Sequence, residues 1–131
     1  MKKGHLIVGV LGLIAFVLTG QYMHWHFNHL VGMPDGPRLM YRTSHIYILW
    51  AALLNLVLGL YVLPVENNMR RRLQEAGSFA IMMSLLLVSI SFFADSQNVT
   101  LWRGWARMGI YLALAGVVLH AAAVAIGLRR N

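Results

Sequence analysis

The stretch "QYMHWHFNHL" at residues 21–30 places three histidines within six residues. Imidazole nitrogen is a common protein ligand for zinc and copper, and it also serves as an axial ligand of haem iron. On an α-helix, His26 and His29 share a face at three residues' spacing, whereas His24 and His26 point about 200° apart. The spacing therefore predicts that His26 and His29 act together, unless the helix unwinds near residue 28.

A mononuclear zinc or copper site is the first hypothesis for these histidines. Imidazole and carboxylate are both suitable ligands, and counting along the predicted helices places His45 and Asp95 at the same outer end of the bundle as these histidines. The predicted set is His26, His29, His45 and Asp95. This set requires the first helix to meet the start of the second, where His45 lies.

A b-type haem held between helices is the second hypothesis. Its axial ligands would be His45 together with His24 or His26. Guanidinium groups pair well with carboxylates, so nearby arginines would bind the haem propionates. The predicted partners are Arg38, Arg42, Arg103 and Arg107.

The third hypothesis assigns these histidines no cofactor. Aromatic side chains are enriched where membrane helices meet the headgroups, and histidine, with an apolar body and a polar tip, suits the same place. The aromatic residues around the histidines are Tyr22, Trp25, Phe27, Tyr41, Tyr47, Trp50, Trp102 and Trp105. Binding of a quinone or a lipid headgroup is a further alternative, and the sequence leaves these readings open.

The amino-acid composition indicates that these candidate residues belong to a membrane protein. Of the 131 residues, 59% are hydrophobic and 11% are charged, whereas about a quarter of a typical soluble domain is charged. The chain has no cysteine, which excludes disulfides and thiolate metal sites. Its formal charge of +7 lies in short clusters between apolar runs, which favours membrane topology signals over nucleic-acid binding.

Four apolar stretches are long enough to cross a hydrocarbon core of about 30 Å as helices. They cover residues 5–28, 43–63, 77–95 and 103–128, and short polar connections separate them. Short connections between helices predict antiparallel neighbours. We therefore expect residues 1–131 to form one all-α domain, an integral membrane antiparallel four-helix bundle without a soluble domain.

The distribution of Lys and Arg predicts the orientation of this bundle. The two sides carry seven and four such residues, respectively: Lys2, Lys3, Arg70, Arg71, Arg72, Arg129 and Arg130 against Arg38, Arg42, Arg103 and Arg107. Both termini are therefore expected in the cytoplasm of a multi-pass inner-membrane protein. The histidine-rich stretch then faces the outside.

A buried polar layer is predicted in the cytoplasmic half of the bundle. Counting about 1.5 Å per residue from the helix ends places His120, Asn55 and Ser84 at one depth, where they either bond across helices or form a polar station. No second histidine is expected in this layer. Small residues at spacings of three and four, such as Gly109 and Gly116, predict close helix packing.

No catalytic motif emerges, since no serine or acid pair is arranged for hydrolysis, and a non-enzymatic role is favoured. The leading prediction is a small membrane protein that binds haem b or a transition metal (Cu or Zn) at its outer face, for electron transfer with quinol or for metal handling. One alternative is an accessory or assembly subunit of a homo-oligomer or larger membrane complex. Another is an oligomeric small transporter.

Overall fold

The computed structural model describes residues 1–61, 65, 67–97 and 102–128. Within these ranges the chain forms four α-helices and no strand: α1 (Lys2–Phe27), α2 (Asp35–Tyr61), α3 (Asn68–Ala94) and α4 (Gly104–Leu128). A 3-10 turn, Asn28–Leu30, follows α1. Each of the four helices is long and apolar enough to cross a membrane. Residues 62–63 of the predicted second span, and Arg129 and Arg130 of the predicted charge distribution, lie outside the described residues.

Helices α2 and α3 begin eight and nine residues before the apolar stretches that were predicted to contain them. Asp35 lies in the first turn of α2, where a negative charge suits the positive end of the helix dipole. Asn67 caps α3, and its side-chain oxygen accepts from the backbone N–H groups of Met69 (3.0 Å) and Arg70 (3.2 Å). Hydropathy locates the lipid-crossing part of a helix, whereas polar residues and caps extend the helix beyond it.

The most extensive helix contacts are those of α3 with α4 and of α1 with α2, and contacts between α2 and α3 join the two pairs. The predicted small-residue stripe of α4 packs against α3 within the same chain. A Cβ atom added to Gly116 would lie 2.5 Å from Cγ1 of Ile81 and 2.7 Å from the Gly77 carbonyl oxygen. One added to Gly109 would lie 2.7 Å from Cγ1 of Val88.

Contacts between α1 and α2 follow a regular order along the two helices. His5 contacts Asn55, Gly12 lies against Ala52, and Thr19 contacts His45. Residues later in α1 therefore contact residues earlier in α2.

The large side chains divide between a small interior and an exposed apolar surface. At one end, Phe92 is fully buried and meets the rings of Tyr22 and Tyr41 edge-on. Large apolar side chains lie exposed on all four helices, as lipid-facing positions require. Polar side chains therefore cluster at the two ends of the bundle.

Candidate functional site

The end of the bundle where the rings of Tyr22, Tyr41 and Phe92 meet, and where Asp95 contacts α4, is called the histidine-rich end. Its most unusual feature is the turn after α1, where Asn28, His29 and Leu30 have positive φ angles of 44°, 56° and 65°. The left-handed conformation costs about 1–2 kcal/mol for each such non-glycine residue. Leu30 is only 2% exposed, and burial of a leucine returns about 1.5–3 kcal/mol, which offsets much of that cost.

This turn determines the partner of His29. The chain folds back so that His29 Nε2 lies 2.6 Å from His24 Nδ1, and both side chains are exposed. His26 instead packs against Tyr22, with ring centroids 4.6 Å apart. The structure therefore pairs His29 with His24 and not with His26. The helical spacing favoured the other pair because it assumed an α-helix through residue 29, whereas α1 ends at Phe27.

His45 contacts α1 several residues before the histidine-rich stretch. Its ring stacks on Phe16 with centroids 4.0 Å apart, and its Nδ1 lies 2.9 Å from Thr19 Oγ1. The Thr19 hydroxyl donates to backbone carbonyls of its own helix, so the His45 N–H donates to Thr19. Gly20 leaves room for the ring, since a Cβ there would lie 3.3 Å from His45 Cε1. The residues that His45 contacts precede His24 by four to eight positions.

Asp95 caps helix α4. Its carboxylate accepts from the backbone N–H groups of Ala106 (2.8 Å) and Trp105 (3.3 Å), and the residue is 2% exposed. A carboxylate at a helix N-terminus satisfies amide donors that the helix leaves free and interacts favourably with the helix dipole. The geometry therefore indicates a structural role for Asp95. These contacts bring none of the other predicted metal ligands to its carboxylate.

The four arginines predicted to bind haem propionates have separate surroundings. Arg38 forms an ion pair with Asp35. Arg103 donates to Thr43 Oγ1 at 2.5 Å and lies 5.4 Å from the centre of the Tyr47 ring. Arg107 lies 5.0 Å from the centre of the Trp102 ring. Arg42 is exposed.

The predicted metal ligands do not converge in the part of the chain that the structure describes. No three His, Asp or Glu side chains there are grouped so that they could hold one ion. His26, His29, His45 and Asp95 each have the different surroundings given above. Both the four-ligand metal site and the haem site remain predictions from the sequence.

The opposite end is called the His5 end, and its centre is a hydrogen bond between α1 and α2. His5 Nδ1 lies 2.8 Å from Asn55 Oδ1, and both residues are fully buried. Asn55 Nδ2 donates to the carbonyls of Ala51 (2.9 Å) and Ile81 (3.4 Å), so its oxygen must be the acceptor for His5. His5 therefore carries its proton on Nδ1. Its Nε2 lone pair is buried and has no hydrogen-bond partner among the described residues.

The predicted polar layer divides into two levels. Ser84 Oγ donates to the Ile81 carbonyl at 2.7 Å, so Asn55 and Ser84 meet at the same oxygen. His120 instead shares a hydrogen bond of 3.2 Å with Ser78, six residues before Ser84 and about 9 Å further along α3.

A second histidine does lie in the interior at this end of the bundle, contrary to the sequence-based expectation. His5 is fully buried and bonds to Asn55, a member of the predicted layer. Depth counting had placed His5 at the membrane border because it began the first span there, whereas α1 begins at Lys2 and Asn55 holds His5 inside. The signal was present in the sequence, since His5 shares the small-residue spacing of Gly9 and Gly12.

A cavity of about 480 Å³ opens between α2, α3 and α4 at the His5 end. It exists because α2 and α4 hardly touch, although both pack against α3. Its walls are mainly apolar, and its polar lining comes from Tyr61, Arg70, Gln74 and His120. Gln74 is 4% exposed, and Arg70 Nε donates to the Ala123 carbonyl at 2.8 Å. Sequence reasoning had treated Arg70 as part of a connecting segment and had not singled out Gln74.

Comparisons with known proteins return no relative for this chain: no protein-family model, curated protein or solved structure matches it.

Proposed function

We propose that this protein is a four-span, antiparallel inner-membrane protein that binds a quinone in the cavity at the His5 end. The observation that carries the proposal is the cavity itself, about 480 Å³ in volume, with apolar walls and the polar side chains of Gln74, His120, Tyr61 and Arg70, whose Nε donates to the Ala123 carbonyl. Small-molecule sites have volumes of about 300–1,000 Å³ and are apolar clefts with a few polar groups that orient the ligand.

The orientation is part of the same proposal. The order of contacts between α1 and α2 supports an antiparallel arrangement. The excess of Lys and Arg near the His5 end favours a cytoplasmic location for this end, by the positive-inside rule. The cavity would then open in the cytoplasmic half of the bilayer, and the histidine-rich end would face the outside.

The depth of the polar groups favours a neutral ligand over a charged headgroup. His120 lies eight residues before the end of α4, which corresponds to about 12 Å along the helix. A phosphate or carboxylate at that depth would lose its hydration at a high free-energy cost. A quinone ring is uncharged, and its carbonyl oxygens need only the donors that imidazole and amide groups supply.

The gap between α2 and α4 provides a route from the lipid. Val57 on α2 and Val124 on α4 both line the cavity, and they are 51% and 52% exposed. A ligand with an isoprenoid tail could therefore enter sideways from the bilayer and leave its tail between the two helices. The apolar walls would bury the ring and the first part of the tail.

Titration of purified protein in lipid nanodiscs with a short-chain ubiquinone tests the proposal. Val124→Trp fills the cavity and is expected to abolish binding, whereas Val118→Trp adds the same bulk on the same helix at a 64% exposed position away from the cavity. His120→Phe removes a polar group from the cavity and is expected to weaken binding about fivefold, the equivalent of one hydrogen bond.

Oleate in the same titration distinguishes a quinone from an anionic lipid. Binding of the quinone that is lost in Val124→Trp and kept in Val118→Trp would support the proposal. Preferential binding of oleate would show that the cavity takes an anionic lipid, and equal quinone binding by both tryptophan variants would show that the quinone binds elsewhere. Either result would overturn the proposal.

A further inference from the structure

We propose that His24 and His29 form a copper(II) site at the histidine-rich end, separate from the cavity. The carrying observation is the distance of 2.6 Å between His24 Nδ1 and His29 Nε2. The two rings are tilted by 45° with centroids 4.2 Å apart, so the side chains lie next to each other at the end of α1. The left-handed turn at residues 28–30 creates this pair from histidines that a continuous helix would separate.

The nitrogen separation that chelation requires depends on the geometry of the ion. Metal–imidazole bonds of about 2.0–2.1 Å place two nitrogens about 2.9 Å apart at a right angle and about 3.3 Å apart at a tetrahedral angle. The observed separation is closer to the right angle, so a small rotation of two exposed side chains would complete it. Right-angled coordination by nitrogen is typical of square-planar copper(II), which also binds imidazole more tightly than the other divalent ions of its row.

The pair leaves the rest of the coordination sphere open. Both side chains are exposed, so water can fill the remaining positions. In the bound form His24 would coordinate through Nδ1 and His29 through Nε2, and each ring would keep its proton on the other nitrogen. His26 lies on the other side of the helix against Tyr22, which provides a third histidine outside the site.

The turn, rather than the contact between the two rings, holds the pair together. A hydrogen bond between exposed side chains competes with water and contributes little. Leu30 is buried and anchors the turn from within the bundle, next to His29. The backbone of the turn therefore keeps the two side chains close to each other before an ion arrives, which reduces the entropy lost on binding.

Copper(II) titration of the full chain, purified through a tag without histidine, tests this site. Glycine in the affinity titration competes with weak sites such as the terminal amine, and electron paramagnetic resonance in a separate, non-coordinating buffer without glycine reports the number of coupled nitrogens. We expect one copper ion with two imidazole nitrogens. His24→Gln and His29→Gln should each weaken binding at least tenfold, whereas His26→Gln should leave the affinity within about twofold.

Two outcomes would overturn the site. One is a loss of affinity in His26→Gln equal to that in the other two variants, which would indicate unspecific binding by the histidine-rich stretch. The other is a spectrum of the unmodified protein without two equivalent nitrogens. Because His24 lies within α1, its variant should keep the helix intact, and an unchanged circular dichroism spectrum separates lost ligation from lost structure.

Discussion

His5 donates from Nδ1 to Asn55 Oδ1 across 2.8 Å and joins α1 to α2 between two fully buried side chains. The same bond fixes the imidazole tautomer and leaves the Nε2 lone pair facing the protein interior. Buried polar groups in a membrane bundle serve either packing or function, and this pair lies at the same end of the bundle as the cavity that His120 lines. The His5–Asn55 hydrogen bond therefore stabilises the end of the bundle that contains the candidate site.

Replacement of Asn55 by leucine should destabilise the protein because His5 would lose its partner in a buried position. Interhelical hydrogen bonds in membrane proteins contribute about 0.5–2 kcal/mol, so we expect a loss of that size in the free energy of unfolding. SDS-induced unfolding in detergent micelles, followed by circular dichroism, measures it. The double variant His5→Leu, Asn55→Leu should recover part of the loss, because no polar group is then left unpaired. Strictly additive losses would show that the two residues do not interact.

Gly116→Ala should weaken the contact between α3 and α4. The new Cβ would lie 2.5 Å from Cγ1 of Ile81 and 2.7 Å from the Gly77 carbonyl oxygen, which is backbone and cannot rotate away. Overpacking of this kind costs about 1–3 kcal/mol. The same unfolding experiment measures the change, and Ala115→Leu is the control, since this exposed neighbour gains a larger side chain toward lipid. Equal stability of Gly116→Ala and the unmodified protein would contradict the packing.

Asp95→Ala should destabilise α4 because two backbone N–H groups would lose their acceptor. Loss of a helix N-cap costs about 0.5–2 kcal/mol. Asp35→Ala is the matched control: Asp35 also lies in the first turn of a helix, but its side chain is 91% exposed and its ion pair with Arg38 should contribute little. Copper affinity should be unchanged in Asp95→Ala, and a marked fall would instead restore Asp95 as a ligand.

The sequence predicted the all-helical character and the four apolar spans because lipid requires about 20 apolar residues for each crossing helix. It located the ends of α2 and α3 less well, since polar residues at a membrane border continue a helix when a cap such as Asn67 starts it. It also indicated which glycines allow close packing, because small residues at helical spacing have no other strong purpose in lipid.

The candidate sites were harder to predict, because each depends on a feature that periodicity does not encode. The pairing of His24 with His29 requires three successive left-handed residues, a conformation that no propensity favours for leucine. The cavity depends on how far α2 lies from α4, which is decided by the packing of both helices on α3. The histidines were identifiable as candidate residues, but their partners required the folded chain.

The absence of cysteine allows the proposed topology to be tested with single introduced thiols. Val31→Cys and Gln97→Cys place a thiol at exposed positions of the histidine-rich end, and Asn68→Cys places one at the start of α3 at the His5 end. In intact spheroplasts a membrane-impermeant maleimide should label the first two variants, whereas Asn68→Cys should react only after lysis.

The excess of Lys and Arg that the sequence predicts for the side of both termini is the physical reason for this expectation, because such residues are retained on the cytoplasmic side. The reversed labelling pattern would show that the protein has the opposite orientation, with the proposed copper site in the cytoplasm. Opposite results for Val31→Cys and Gln97→Cys would contradict the antiparallel arrangement itself, since the first follows α1 and the second follows α3.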